Sequence, residues 1–262
     1  MRVILVPVAD RPECVYALDV AFRLAASHEA NVVGCHVRPH RADTAKLNPA
    51  AALRLFRRAA ETNHFELSRR PRLGRSGLAI WREMVGTPNR VLGIVGPLAD
   101  FAVLSRPAFG RFGPAHEFLL AALLNTARPV LVLPQRRVAR LGRRILIAWS
   151  QRPETALAVT AALPLLRSAE QVEIVASGAQ DQAGPKAAQL REYLAHCGVR
   201  AHVMRTPGRN VRKEIARAFV MTESDLLIMG AYSRNRLRER IFGGVTETLL
   251  FQSQLPVFAY HV

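Results

Sequence analysis

The chain contains the same unit twice. "RVILVPVADRPECVYALDVAFRLAA", beginning at Arg2, and "RRILIAWSQRPETALAVTAALPLLR", beginning at Arg143, share a basic start, an apolar strand, a short polar turn containing Arg-Pro-Glu, and a long apolar-periodic helix. A repeat at about 140 residues is the spacing of a duplicated domain, because solenoid units recur at roughly 20 to 50. With 262 residues, 50% of them hydrophobic, each copy has enough material for its own core. Two domains are predicted, 1–137 and 138–262, joined within "PQRRVARLGRR", which is polar, basic and contains Gly142.

The first copy continues with the strand "NVVGCHV", the amphipathic stretch "PAAALRLFRRAAETNHFEL", a basic loop and "LAIWREMV". A turn at Gly86 leads to a helix "PNRVLGIVG" stopped by Gly96 and Pro97, and then to "DFAVLS", "PAHEFLLAALLNTA" and "RPVLVLP". The second copy runs through "VEIVAS", a helix from Pro185 to His196, "RAHVMRT", a helix "NVRKEIARAFVMT", "DLLIMG" and "LPVFAYH". Short strands apolar on both faces, alternating with helices, predict an α/β fold of two tandem five-stranded parallel-sheet sandwich domains, Rossmann-like in architecture.

Composition narrows the function classes. No apolar run approaches the roughly 20 residues of a membrane span, and no signal peptide precedes the first strand, so neither a membrane partner nor export is expected. Cys14, Cys35 and Cys197 are odd in number and far apart, which suggests neither a disulfide framework nor a zinc site and makes the reducing cytoplasm the expected compartment. His36 and His40 are four apart, but on a strand entering a proline loop that spacing does not put both rings on one face, so no metal site is expected. The net charge of +17 is almost all arginine, with lysine only at Lys46, Lys186 and Lys213. Arginine clusters in "SRRPRLGRSG" and "PQRRVARLGRR", both read as surface loops, and the 6% of aromatic residues lie mostly inside apolar runs. A nucleic-acid surface would interleave exposed aromatics with its charge, so nucleic acid is disfavoured as a partner.

Chemistry concentrates in "GAYSRNRLRERIFGGVTETLL", which follows the strand "DLLIM". Ligands of an open parallel sheet bind beyond the carboxyl ends of its strands, and phosphate needs backbone amides that approach closely at a helix start. Gly230 bends the chain after the strand, and Gly243 and Gly244 open the helix beginning at Val245. The segment resembles the nucleotide loop of the universal stress protein family: Gly, two residues, Gly, nine residues, Gly, then Ser or Thr. Gly230 and Gly243 match; Ser233 stands for the second glycine and Gly244 for the hydroxyl residue. The strand openings and the closing "LPVFAYHV" extend the likeness over nearly the whole chain.

The resemblance implies a stress-response protein holding ATP or another adenine nucleotide in its C-terminal domain, with Ser150, Gly230, Ser233, Gly243, Gly244 and Val245 as the binding residues. It also implies an intramolecular pseudo-dimer packed through "VLVLP" and "VFAYH", and two such chains could form a homodimer. Several departures weaken the nucleotide site. Where the family places an acidic residue at the end of the first strand, this chain has Ser150 in the second half and Ala9 in the first, with Asp10 one step late. Arg234, Arg236, Arg238 and Arg240 read either as phosphate ligands or as a solvated face beside Leu237 and Ile241. In the first half, Gly110 and Gly113 come too late after the strand, and Pro114 at once starts a helix. The alternative is a protein of this fold that binds no nucleotide and acts as an interaction or scaffold module through protein partners. No nucleophile elbow, Walker lysine or paired carboxylates appear, so no catalytic residue is expected, and at most slow incidental ATP hydrolysis.

Overall fold

The computed structural model describes residues 1–39, 48–107, 113–181, 183–231 and 244–261. The chain divides into two compact units, Met1–Val138 and Ala139–Val262. Among the described residues no helix is long and apolar enough to cross a membrane.

In the first unit the elements are β1 (Val3–Pro7), α1 (Pro12–Ser27), β2 (Asn31–Arg38), α2 (Pro49–Thr62), β3 (Glu66–Ser68), β4 (Leu78–Val85), α3 (Pro88–Val95), β5 (Phe101–Ser105), α4 (Pro114–Asn125) and β6 (Val130–Leu133). The strands lie in the order β3-β4-β2-β1-β5-β6, each pair parallel. All four helices begin with proline, whose missing N–H would be unsatisfied at a helix start in any case. The side chains of Asn48 and Thr87 complete two of these starts by accepting from the amides of Ala51 and Arg90. Five strands were expected in this half, and six are found among the described residues. The amphipathic stretch read as running to Leu67 ends as helix at Thr62. Asn63 caps it, His64 takes φ 60°, and the chain re-enters the sheet at Glu66 as an edge strand.

In the second unit the elements are β7 (Arg144–Trp149), α5 (Pro153–Ala161), α6 (Leu163–Ser168), β8 (Gln171–Ser177), α7 (Ala187–His196), β9 (His202–Thr206), α8 (Val211–Met221), β10 (Leu226–Gly230), α9 (Val245–Glu247) and β11 (Val257–Tyr260). Their order is β11-β10-β7-β8-β9, again parallel throughout. Two helices differ from expectation. The long helix after β7 is divided at Ala162, two residues before Pro164, which cannot donate to the helical ladder. The helix expected after Gly244 is a single turn, α9, which passes into a π-helical turn at Thr248–Gln252.

The core strands are buried on both faces, as parallel sheets require: Ile4, Leu5 and Val6 in β1, and Ile145, Leu146 and Ile147 in β7, have almost no exposed surface. In each unit the chain runs outward from the first strand and then returns to its other side, so that β1 and β5, and likewise β7 and β10, flank the point where strand order reverses. The crevice beyond the carboxyl ends at that reversal is where a ligand of such a sheet would sit.

The amino ends are tied down in the same way in both units. Asp100, just before β5, accepts from Val3 N at 2.7 Å and from Arg2 N. Asp225, just before β10, accepts from Gly142 N at 2.7 Å, Arg143 N at 3.1 Å and Arg144 N at 3.3 Å. Each carboxylate thus gathers the amides that lead into the neighbouring central strand.

Candidate functional site

At the reversal point of the second unit, β7 ends at Trp149 and the chain turns through Ser150 and Gln151 into α5. The turn needs a left-handed residue, and Gln151 provides it with φ 58° while remaining buried. Its side chain donates from Nε2 to Gly184 O at 3.0 Å, and Trp149 Nε1 donates to Pro185 O at 2.8 Å. Two donors from the end of β7 therefore hold the segment before α7 against that end. The contact is tight, because a Cβ on Gly184 would run into the Gln151 carbonyl oxygen.

Ser150 Oγ lies 2.5 Å from Thr155 Oγ1 in the first turn of α5. The same threonine fixes Gly230 at the end of β10: a Cβ there would stand 2.8 Å from Thr155 N, 2.8 Å from Thr155 Oγ1 and 3.0 Å from Glu154 Cβ. Gly230 is thus required by helix-on-strand packing. Glu154 Oε2 is buried and has no hydrogen-bond partner among the described residues.

Of the six residues the sequence nominated, the structure brings Ser150 and Gly230 together around Thr155. Gly244 precedes α9 with φ 109° and, among the described residues, nothing within 4 Å of where a Cβ would be, and half-buried Val245 begins the helix. Ser233 and Gly243 lie outside the described residues, as do Arg234, Arg236, Leu237, Arg238, Arg240 and Ile241. The residues that sequence reasoning missed are Gln151, Glu154 and Thr155. The Arg-Pro-Glu turn shared by both halves was their signal, because it fixes which residues start the helix facing the crevice.

The corresponding end of the first unit is built differently. Ala9 N donates to Cys14 Sγ at 3.4 Å, and Ser105 Oγ donates to Glu13 O at 2.6 Å. Ser105 occupies the place that Gly230 has in the second unit, and Cys14 that of Thr155. Arg106 follows, almost fully buried, with its backbone bonded to Leu133 O and to the Gln135 side chain. Burial brings its guanidinium down to about 10 and pushes the Cys14 thiol up to about 11. Asp10 is exposed, and Gly113 caps α4 in extended conformation ahead of Pro114; Gly110 lies outside the described residues. His36 is a core residue stacked on Trp81, its Nδ1 donating to Val8 O at 2.8 Å; His40 lies outside the described residues. Among the described residues no three His, Cys, Asp or Glu side chains converge as metal ligands.

A second polar cluster closes the β9–α8 turn. Glu214 Oε2 accepts from Thr206 Oγ1 at 2.6 Å and from Gly208 N at 2.9 Å, and Oε1 accepts from Asn210 N at 3.1 Å. Thr206 Oγ1 also lies 2.8 Å from Ser177 Oγ, which supplies the proton of that contact because the threonine has only one. The Thr206 hydroxyl, then the Asn210 amide, and further the Gly208 amide and Ser177 hold the Glu214 carboxyl down at about 2, against the opposing effect of burial.

No protein-family profile matches the sequence, and no curated protein is similar enough to it to count as a match. Solved structures do match over the full length. A universal stress protein from Archaeoglobus fulgidus DSM 4304 superposes with a TM-score of 0.72 at 15% identity, covering 99% of this chain and 96% of its own. A protein from Pseudomonas aeruginosa UCBPP-PA14, described as a universal stress protein, gives 0.62 at 17% identity over 100% and 93% of the two chains. A functionally unknown protein from Pseudomonas aeruginosa PAO1 gives 0.63 at 16% over 100% and 92%. With two successive parallel α/β units spanning the same length as these structures, the chain has the fold of a tandem universal stress protein.

Proposed function

We propose that the protein acts in the stress response as a tandem universal stress protein working through its surface and its protein partners, with the crevice at the end of β7 closed by its own side chains. The observation that carries this reading is the set of contacts around Ser150 and Gln151. Ser150 is engaged with Thr155, Gln151 and Trp149 are engaged with Gly184 and Pro185, and Gly230 is covered by Thr155. Glu154 Oε2, buried and unpartnered among the described residues, belongs to an acidic side chain, the opposite of what a phosphate requires. These contacts support a crevice that works without an adenine nucleotide. In the first unit, Ser105 and buried Arg106 stand where an open glycine bend would be needed. No catalytic step is assigned.

A second reading, weak adenine-nucleotide binding in the C-terminal unit, is favoured by Gly244, whose positive-φ backbone at the start of α9 has no described atom within 4 Å of a Cβ position. Calorimetric titration of ATP into the full chain separates the two. The expected result is no saturable heat up to on the order of millimolar ATP. Saturable binding that a Gly244→Val variant loses would replace the first reading with the second.

A further inference from the structure

The loop between β3 and β4 of the first unit has a composition that neither the core nor the crevice uses. Arg69, Arg70, Arg72 and Arg75 are exposed, and Glu66 is the one acidic residue between positions 66 and 77, so four positive charges less one negative leave +3. At the tip stands Leu73 with a relative exposure of 105%, and Leu67 on β3 is also exposed. Arg75 N donates to Arg72 O at 3.1 Å, closing a turn whose middle residues are Leu73 and Gly74. Gly74 takes φ +73°, as the third residue of a type II turn requires.

The turn is well anchored. Asn31 Nδ2 donates to Arg75 O at 3.1 Å, Arg82 Nη1 to Arg69 O at 2.7 Å, and Ser68 Oγ to Arg70 O at 2.8 Å. Arg72 and Arg75 both pair with Glu66, at 2.7 and 3.8 Å, which leaves Arg69 and Arg70 as the arginines of this loop outside its ion pairs among the described residues. A fixed backbone thus presents a leucine to solvent in a turn flanked by exposed arginines, where the leucine contributes nothing to folding.

We propose that this turn docks the protein on an anionic lipid bilayer, Leu73 entering the boundary between headgroups and acyl chains while the surrounding arginines meet lipid phosphates. An aliphatic tip gains by leaving water for an apolar phase such as the acyl-chain boundary, and guanidinium groups pair with phosphate in a bidentate fork. Nucleic acid would satisfy the arginines but not the leucine, and positions 66–77 contain no aromatic side chain on which a base could stack. The absence of an apolar span bears on crossing a membrane and not on surface docking, so this contact is peripheral and reversible.

The test is sedimentation of the full chain with vesicles of phosphatidylcholine alone and of phosphatidylcholine containing phosphatidylglycerol. Wild type is expected to bind the anionic vesicles and not the neutral ones. Leu73→Ser should lower the partition coefficient about tenfold, and the double variant Arg69→Gln, Arg70→Gln should lower it about thirtyfold at low salt. The side chains of Arg69 and Arg70 make no hydrogen bond or ion pair among the described residues, and Leu73 is fully exposed, so these variants should unfold at the wild-type midpoint. Failure of wild type to bind anionic vesicles, equal binding by Leu73→Ser, or tighter binding to a single-stranded oligonucleotide that Leu73→Ser leaves unchanged would each overturn the proposal.

Discussion

Thr155 in the first turn of α5 presses against Gly230 at the end of β10, so closely that a methyl group on the glycine would meet the threonine amide nitrogen and hydroxyl at 2.8 Å. The helix start and the strand end share one space, and the glycine makes room for the helix. Gly230→Ala is therefore expected to lower stability by about 1–3 kcal/mol, because one of the atoms in the way is backbone and cannot rotate aside. Urea unfolding monitored by circular dichroism measures this; a midpoint equal to wild type would show that the helix can retreat without cost.

The carboxylate of Asp225 accepts from three successive amides, those of Gly142, Arg143 and Arg144. Asp225→Ala should destabilise the second unit by about 1–3 kcal/mol, since those donors would lose a charged acceptor at the entry to its central strand. Asp100→Ala should act likewise on the first unit. Hydrogen exchange would report the loss first at the amino ends of β7 and β1 respectively.

Glu214 links stability to acid. Its carboxyl sits at about 2 in the folded chain against an ordinary 4.5, so the unfolded chain takes up the proton more readily. The contribution is fully present above pH 4.5 and is lost as pH falls from there towards 2. Wild type should therefore lose its stability advantage over Glu214→Gln across this window. A constant difference between the two unfolding midpoints from pH 6 to pH 2 would refute the assignment.

The three thiols should be unequal in reactivity. Burial pushes Cys14 and Cys35 up to about 11 each, and both are enclosed in the first unit, whereas Cys197 is only half-buried after α7. Titration of the native chain with a disulfide reagent near neutral pH should modify Cys197 first and leave the other two protected until the protein unfolds. Rapid modification of all three would mean that the first unit opens readily.

The duplication and the parallel α/β architecture were legible in the sequence because they rest on period and punctuation: two Arg-Pro-Glu turns, each followed by a helix, and strands apolar on both faces. β3 was not legible, because three residues on a sheet edge carry no alternation and their pairing depends on β4, ten residues further along the chain. The candidate site was legible only in part. Glycine spacing pointed to Gly230, but the reason for that glycine lies in Thr155, 75 positions earlier, and no local pattern announces such a contact. The aspartates were within reach, since "ADFAVL" and "SDLLIM" place Asp100 and Asp225 at the same point of the repeat. Glu214 was within reach too, four residues after the helix-capping Asn210, as a carboxylate folding back on its own turn.

The paired aspartates carry one more implication. At the entrance to the central strands the two halves still use the same residue for the same task, whereas at the exit one has Ala9, Cys14 and Ser105 where the other has Ser150, Thr155 and Gly230. The two halves are alike at their foundations and differ at their rooftops. Engineers grafting a new receptor onto this scaffold should therefore leave the floor untouched and rebuild from the top of the second storey.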